Sequence, residues 1–270
     1  MQYLAFVTLA LYALSFACYT RILYAPSVPL GRLASVLLCL GIVAQYFELL
    51  ARTRGTQSIP YDDLYGSMSL FAWLLGVTYL GLEVFHRERS VGAFVTLALV
   101  IWMSVLRVFW TPAVSNPELP RGPLFAFHVT LNTWAYSAFG LSFVLSLIYL
   151  IQDRMLRSRR MATPAWRFPA LDVLDRMARS SVYIGLVALG LGVGMGLVWA
   201  WRLSGAGVLA DPKVLITALI LVAYVVYLHL SRSATWRGAR AARLCAVNFA
   251  FVLFSYTFVN LYLTKFHHFQ

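Results

Sequence analysis

Residues 182–203 read VYIGLVALGLGVGMGLVWAWRL, an apolar run whose single charged residue, Arg202, stands next to its end. A helix needs about 20 mostly apolar residues to cross the hydrocarbon core of a bilayer, so this run predicts a membrane span. Glycine recurs at alternate positions in it, and glycine lets neighbouring helices approach closely. We expect a packing role for the four glycines concerned, Gly190, Gly192, Gly194 and Gly196.

Similar apolar runs fill the rest of the chain. Together they predict eight spans, at residues 3–19, 33–50, 66–85, 91–110, 124–151, 182–203, 214–230 and 245–263. The composition agrees, because 61% hydrophobic and 12% charged residues lie outside the balance of a soluble domain. We therefore predict an all-α polytopic membrane protein in which residues 1–270 form one integral membrane domain.

The Lys and Arg residues predict the orientation of the spans. Of the 22 basic residues, 15 lie in the odd-numbered connections between spans, six lie on the opposite side, and Arg107 lies inside a span. Short cytoplasmic connections retain Lys and Arg, so we expect the odd-numbered connections in the cytoplasm and both termini outside. The net charge of +12 then serves membrane insertion and contact with anionic lipids, and it does not indicate nucleic-acid binding.

The longest connection, residues 152–181, begins with a basic cluster and continues with the sequence WRFP at residues 166–169. Apolar residues then follow at helical spacing. This pattern predicts a short interfacial helix at residues 164–180, lying on the inner membrane surface. The apolar residues are Leu171, Leu174, Met177 and Ala178.

Charged residues within the spans are few. Glu48, Glu83 and Arg107 each lie within about one helical turn of a span end. Long side chains at such positions can reach the membrane interface, so we predict interfacial snorkelling for all three. A transporter is disfavoured, because no carboxylate or basic group lies near a span centre. The three cysteines show no metal-ligand spacing and are expected to be small apolar residues.

The five histidines are the best candidates for chemistry. His128 lies at the outer end of the fifth span, while His267 and His268 follow the eighth span on the same side. His229 lies near the inner end of the seventh span, and His86 lies in a short cytoplasmic connection. Two imidazoles at one membrane face can ligate a single metal ion, including a haem iron. A histidine at a span end can instead be an interfacial hydrogen-bonding residue, and spacing leaves both alternatives open.

Several short motifs stand out between Pro60 and the C-terminus. They are LDVLDRMAR (171–179), GLVWAW (196–201), DPK (211–213), YLH (227–229), WRG (236–238), FHV (127–129) with YS (136–137), and FVNL (258–261) followed by His267. Together they resemble the cytochrome c assembly family, a group of membrane haem-handling proteins. The first two spans contribute little to this resemblance.

The resemblance implies a haem site at the outer face. In that family a Trp-rich outer segment forms a platform for haem, and two flanking histidines ligate its iron. The corresponding residues here are the segment 198–213 and the pair His128 and His267, with haem b as the cofactor. His229 corresponds to a membrane-embedded histidine that also handles haem in some members.

The resemblance also implies contacts around the haem. Trp199 and Trp201 can stack on the porphyrin, and Arg202 and Lys213 can pair with its propionates, as can Arg121. Asp211 belongs to the same segment. Each of these residues can equally serve as an anchor at the membrane interface.

The chain departs from the family pattern in the platform. Fuller members carry two tryptophans before the aspartate and a glutamate after the DPK motif, where this chain has Val208, Ala210 and Val214. Fewer aromatic faces imply weaker or different haem binding. In this respect the chain is most similar to the compact HemX-like and YpjD-like branch of the family.

The resemblance therefore predicts one of two functions in a bacterial cytoplasmic membrane. In the first, the protein binds haem and assists its delivery to apocytochrome c together with other cytochrome c biogenesis proteins. The chain then orients haem and supplies no nucleophile, so it is not expected to be an enzyme by itself. In the second, it is a non-catalytic scaffold or regulator of the same fold, linked to haem or tetrapyrrole metabolism.

Reporter fusions test the predicted orientation. Fusions after Arg160 and after Arg240 are expected to report the cytoplasm, whereas fusions after Pro117 and at Gln270 are expected to report the outside. Alkaline phosphatase and fluorescent-protein activities measure the two locations. An inverted result in either pair would separate His128 from His267 and contradict the paired-ligand hypothesis.

Overall fold

The computed structural model describes residues 2–56, 61–111, 122–158, 169–204 and 212–258. These residues form eight α-helices, each of which overlaps one predicted span. The helices are α1 (Gln2–Tyr24), α2 (Val28–Thr56), α3 (Leu64–His86), α4 (Gly92–Val108), α5 (Pro123–Arg157), α6 (Leu171–Ser204), α7 (Pro212–Arg232) and α8 (Ala239–Phe258).

Six helices in the described ranges are long and apolar enough to cross a membrane, namely α1, α2, α3, α5, α6 and α7. Helix α4 is apolar but has only 17 residues. The all-helical membrane architecture is thus confirmed in its coarse form. The count of eight spans and the outside location of both termini stay predictions.

The chain divides into two compact units. Unit 1 comprises Met1–Pro120 and Arg154–Met177, and unit 2 comprises Arg121–Asp153 and Ala178–Gln270. Helices α1 to α4 belong to unit 1 and α7 and α8 to unit 2, whereas the last residues of α5 and the first residues of α6 belong to unit 1 and the rest of both helices to unit 2.

Helices α1 to α4 of unit 1 close into a bundle, because α1 packs against α2 and α4, and α3 packs against the same two helices. Polar contacts occupy the bundle interior. The Tyr12 hydroxyl donates to Gln45 Oε1 at 2.6 Å, and Gln45 Nε2 donates to the Ser69 carbonyl at 3.0 Å. Buried polar groups of this kind must find partners inside the protein, since hydrocarbon offers none.

Glu83 lies inside unit 1 and is only 3% exposed. Its Oε2 accepts from the hydroxyls of Tyr19 at 2.5 Å and Tyr79 at 2.9 Å. Its Oε1 accepts from the Ser35 hydroxyl and lies 3.4 Å from Arg89 Nε. The carboxylate thus connects α1, α2, α3 and the connection before α4. Interfacial snorkelling is therefore wrong for Glu83, whose charge is buried and paired within the bundle.

A second buried carboxylate, Glu48, lies near the other end of the same bundle. Its Oε1 accepts from Arg107 Nη2 at 2.6 Å and from the Tyr65 hydroxyl at 3.0 Å. Arg52 stacks over the Tyr65 ring at 4.5 Å and donates to Asp63 at 3.0 Å. Snorkelling is wrong for Glu48 and Arg107 as well, because they pair with each other inside unit 1.

Unit 2 is organised around the contact between α5 and α6. The Ser181 hydroxyl of α6 donates to the Ala138 carbonyl of α5 at 2.7 Å. A Cβ at Gly185 would lie 2.5 Å from the Phe139 ring, so glycine makes room for that ring. Phe139 in turn stacks on Tyr224 of α7, with ring centroids 3.8 Å apart. Three helices thus meet at one aromatic layer.

Helix α8 completes the core of unit 2. Ser142 Oγ and Cys245 Sγ lie 3.3 Å apart, and Asn248 Nδ2 donates to the Ala223 carbonyl at 3.1 Å. All three cysteines are free thiols, namely Cys18, Cys39 and Cys245. Cys245 is fully buried, in agreement with its expected role as a small apolar residue.

The predicted interfacial helix at residues 164–180 is not a separate element in its described part. Residues from Leu171 onward belong to the continuous helix α6, and residues 161–168 lie outside the described residues. Leu174 and Met177 are fully buried, so their apolar side chains face protein. The location of the predicted interfacial helix at the inner membrane surface stays a prediction.

The Glu83 network gives a stability prediction. Replacing Glu83 with Gln is expected to cost about 1–3 kcal/mol, because an amide cannot accept all the donors that now surround the carboxylate. Thermal or SDS unfolding of the detergent-solubilised protein measures the loss. Asp172→Asn is the control, since the Asp172–Arg176 pair is largely exposed and should leave the midpoint unchanged. Equal midpoints for both variants would contradict a stabilising role for Glu83.

Candidate functional site

His128 lies in the second turn of α5, which begins at Pro123. Proline suits the first position of a helix, because the missing N–H would have no helical partner there. The imidazole is half-buried and has an aromatic neighbourhood. The Phe125 ring lies 6.3 Å from the His128 ring and 5.3 Å from the Trp199 ring of α6. Residues of α5 and α6 thus form an aromatic wall beside His128.

One hydrogen bond decides the protonation pattern of this imidazole. His128 Nδ1 lies 2.7 Å from the Gly192 carbonyl oxygen of α6. A carbonyl oxygen can only accept, so Nδ1 must carry the hydrogen. In the neutral ring, Nε2 is then unprotonated and carries the lone pair of the ring, with the Asn132 amide Nδ2 at 3.3 Å. Metal-ligating histidines commonly have this arrangement, with the second ring nitrogen donating to a carbonyl or carboxylate.

Asn132, one turn further along α5, contacts both the ring and the backbone carbonyl of His128 through its side-chain amide. Its Nδ2 donates to the His128 carbonyl at 2.8 Å and lies 3.1 Å from Nδ1 and 3.3 Å from Nε2 of the ring. Its Oδ1 is buried and has no hydrogen-bond partner among the described residues. The amide therefore restricts the rotation of the imidazole.

The other candidate residues occupy different places. Trp199 is half-buried against Phe125, whereas Trp201 is 54% exposed. Lys213 lies in the first turn of α7, and Arg202 lies in the last turn of α6. Two expected residues, Asp211 and His267, lie outside the described residues, as do Arg121, Val208 and Ala210.

His229 does not belong to the His128 cluster. It lies in the last turn of α7 and is exposed, whereas His128 lies near the start of α5. Within the described residues there is no group of three or more His, Cys, Asp or Glu that could hold a metal ion. The described part of the site therefore offers one imidazole with an unprotonated Nε2 and an aromatic wall.

Sequence reasoning identified His128 and Trp199 but missed three of their neighbours. Phe125, Asn132 and the Gly192 carbonyl complete the described site. The spacing of Asn132, four residues after His128, places both on one helical face and was a usable signal. A backbone carbonyl leaves no trace in side-chain identity, so the role of Gly192 needed the structure.

Comparison with known proteins matches most of the chain to one family. The profile of the family described as "Cytochrome C assembly protein" covers residues 61–267. "Protein HemX" of Brevibacillus brevis is 27% identical over 267 residues, which are 97% of this chain and 96% of that protein. "Cytochrome c biogenesis protein CcsA" of Porphyra purpurea is 25% identical over 274 residues, covering 86% of this chain and 85% of that protein.

A cyanobacterial relative extends the same pattern. "Cytochrome c biogenesis protein CcsA" of Synechococcus sp. (strain CC9902) is 25% identical over 243 residues, or 79% of each chain. These matches confirm the resemblance drawn from the short motifs, including the similarity to the HemX-like branch.

Proposed function

The chain belongs to the cytochrome c assembly protein family, and on that premise we propose that it binds haem at its outer face and assists its delivery to apocytochrome c. Membership of this family supports a haem-related assembly role in a multi-pass membrane protein. The observation that carries the proposal is the unprotonated Nε2 of His128, which follows from the hydrogen bond that Nδ1 donates to the Gly192 carbonyl.

The donor set beside His128 fits haem better than a bare metal ion. A protein-only metal site needs three or four side-chain ligands, and the described residues offer one imidazole. Haem iron has four porphyrin nitrogens of its own and needs the protein only for axial ligands. The Phe125 and Trp199 rings add apolar faces on which a porphyrin can rest.

The remaining assignments complete the proposed site. His267 would supply a second nitrogen ligand to the iron, Trp201 would extend the aromatic surface, and Arg202 and Lys213 would pair with the propionates, with Asp211 in the same segment. His229, in the last turn of α7, handles haem within the membrane. The organism is a bacterium, and the protein lies in its cytoplasmic membrane among lipids and partner biogenesis proteins.

The chain orients haem and leaves bond formation to its partners. Bound haem supplies the vinyl groups that react with the cysteine thiols of apocytochrome c. Among the chain's own thiols, Cys245 is fully buried and hydrogen-bonded to Ser142, so it cannot act as the nucleophile. His128 and the aromatic wall hold the ring in one orientation while the acceptor approaches, which is catalysis by proximity.

A regulator or scaffold is the second candidate, and the altered platform favours it. Val208, Ala210 and Val214 replace two tryptophans and a glutamate of fuller members. In this alternative the fold persists without a working haem platform, and the protein acts through partners in haem or tetrapyrrole metabolism.

The ligand assignment predicts distinct spectra for histidine variants. His128→Ala and His267→Ala are each expected to convert a low-spin six-coordinate spectrum into a five-coordinate one, because each removes one axial nitrogen. Added imidazole should restore the parent spectrum. Absorption spectra and a pyridine haemochrome assay of the detergent-purified protein measure ligation and stoichiometry. His268→Ala is the control, and unchanged spectra in both single variants would rule out the proposed ligand pair.

Rebuilding the platform separates the two candidate functions. The triple variant Val208→Trp, Ala210→Trp and Val214→Glu returns the family sequence and is expected to raise haem affinity about tenfold, since each aromatic pair contributes about 0.5–1.5 kcal/mol. Haem titration of variant and parent measures the change. A scaffold with no porphyrin to stack on gains no affinity, and that result would favour the regulator.

A further inference from the structure

Helix α6 has four glycines at alternate positions, and only two of them face α5. Gly192 and Gly196 lie four residues apart and therefore share one helical face. A Cβ at either position would meet a side chain of α5, whereas a Cβ at Gly190 or Gly194 would meet nothing within 4 Å among the described residues. The glycines thus divide into a contacting pair and an open pair.

The His128 imidazole occupies the space beside Gly196. A Cβ at position 196 would lie well under 3.0 Å from Nδ1 and Cε1 of the ring, a separation that real Cβ atoms essentially never show. Any larger residue must therefore displace the imidazole or push the two helices apart.

Gly192 acts on the same ring through its backbone and on Asn132 through its missing side chain. Its carbonyl accepts the 2.7 Å hydrogen bond from His128 Nδ1. A Cβ at position 192 would lie 2.9 Å from Asn132 Oδ1 and 3.1 Å from its Cγ. The absence of both Cβ atoms lets α5 come close enough for this bond to form.

We propose that Gly192 and Gly196 are positioning residues for His128. They form a cradle that fixes the Nδ1–H tautomer and presents an unprotonated Nε2 to a ligand, and the identity of that ligand as haem iron rests on the proposed function. The hydrogen bond to the carbonyl also fixes the orientation of the imidazole, as partners of metal-ligating histidines do. Gly190 and Gly194 have no such role.

The first test needs no haem. In protein labelled with ¹⁵N-histidine, the resonances of the His128 ring, assigned with His128→Gln, are expected to show a protonated Nδ1 and an unprotonated Nε2. Gly196→Ala should change this pattern, because it breaks the bond to the carbonyl. Gly194→Ala and Gly190→Ala are matched controls on the same helix and should leave the pattern unchanged.

If Gly196→Ala folds poorly, a double-mutant cycle of Gly196→Ala with His128→Ala still tests the proposal. The clash requires the imidazole, so Gly196→Ala should lower the unfolding temperature of the parent but have little effect in the His128→Ala background. An equal loss in both backgrounds would overturn the proposal, because it would place the cost of the alanine elsewhere than at His128.

The second test measures haem binding by titration. Gly196→Ala is expected to weaken binding about 10- to 100-fold, the range typical of lost partners of a metal ligand, while Gly194→Ala changes it less than about twofold. If the parent binds haem and both Gly196→Ala and Gly194→Ala bind it as tightly as the parent does, the positioning role fails and the proposed function stands. If the parent binds no haem but the ring resonances and the cycle respond as expected, the positioning role stands and the proposed function fails.

Discussion

The close contact between α5 and α6 is the constraint on which unit 2 depends. A Cβ at Gly185, Gly192 or Gly196 would collide with Phe139, Asn132 or His128, respectively. The three pairs follow one antiparallel register, because a glycine further along α6 contacts a residue that lies equally far back along α5. Helices in lipid gain little from apolar burial alone, so close van der Waals contact and hydrogen bonds between them provide much of the stability. The same register brings the Gly192 carbonyl to His128 Nδ1.

The two units bury polar groups in different ways. Unit 1 uses charged and hydroxyl side chains, with Glu83 bound by Tyr19 and Tyr79 and with Glu48 bound by Arg107. Unit 2 relies on backbone carbonyls as acceptors, with donors at Ser181, His128 and Asn248. Both arrangements give these buried groups hydrogen-bond partners inside the protein, which a hydrocarbon environment does not offer. The carbonyl arrangement has a chemical consequence, because it leaves one imidazole nitrogen available as a ligand.

The described site and the family membership converge on haem, and each supplies what the other lacks. The family indicates a role in cytochrome c assembly, through relatives described as cytochrome c biogenesis proteins. The structure supplies a reason why His128 can ligate iron and identifies the residues that orient it. In the proposed site, the replacements at Val208, Ala210 and Val214 reduce the aromatic platform and change none of the residues of the His128 cluster, so ligation and stacking are separable parts of the proposal. The two candidate functions, haem carrier and regulator, differ in whether the aromatic platform works, and both are compatible with the His128 cluster.

The sequence by itself determined the eight helices and the family, and it selected His128 as a candidate ligand, because long apolar runs and short motifs are local properties of the chain. It predicted interfacial snorkelling for Glu48, Glu83 and Arg107, which are paired inside unit 1, and it could not distinguish Gly196 from Gly194. Only the tertiary structure decided these points. Helices that are apolar on every face carry no periodic signal of which face meets a neighbour, so the partner of a charge or a glycine depends on the register between helices. That register arises from packing between residues far apart in sequence, such as Gly196 and His128.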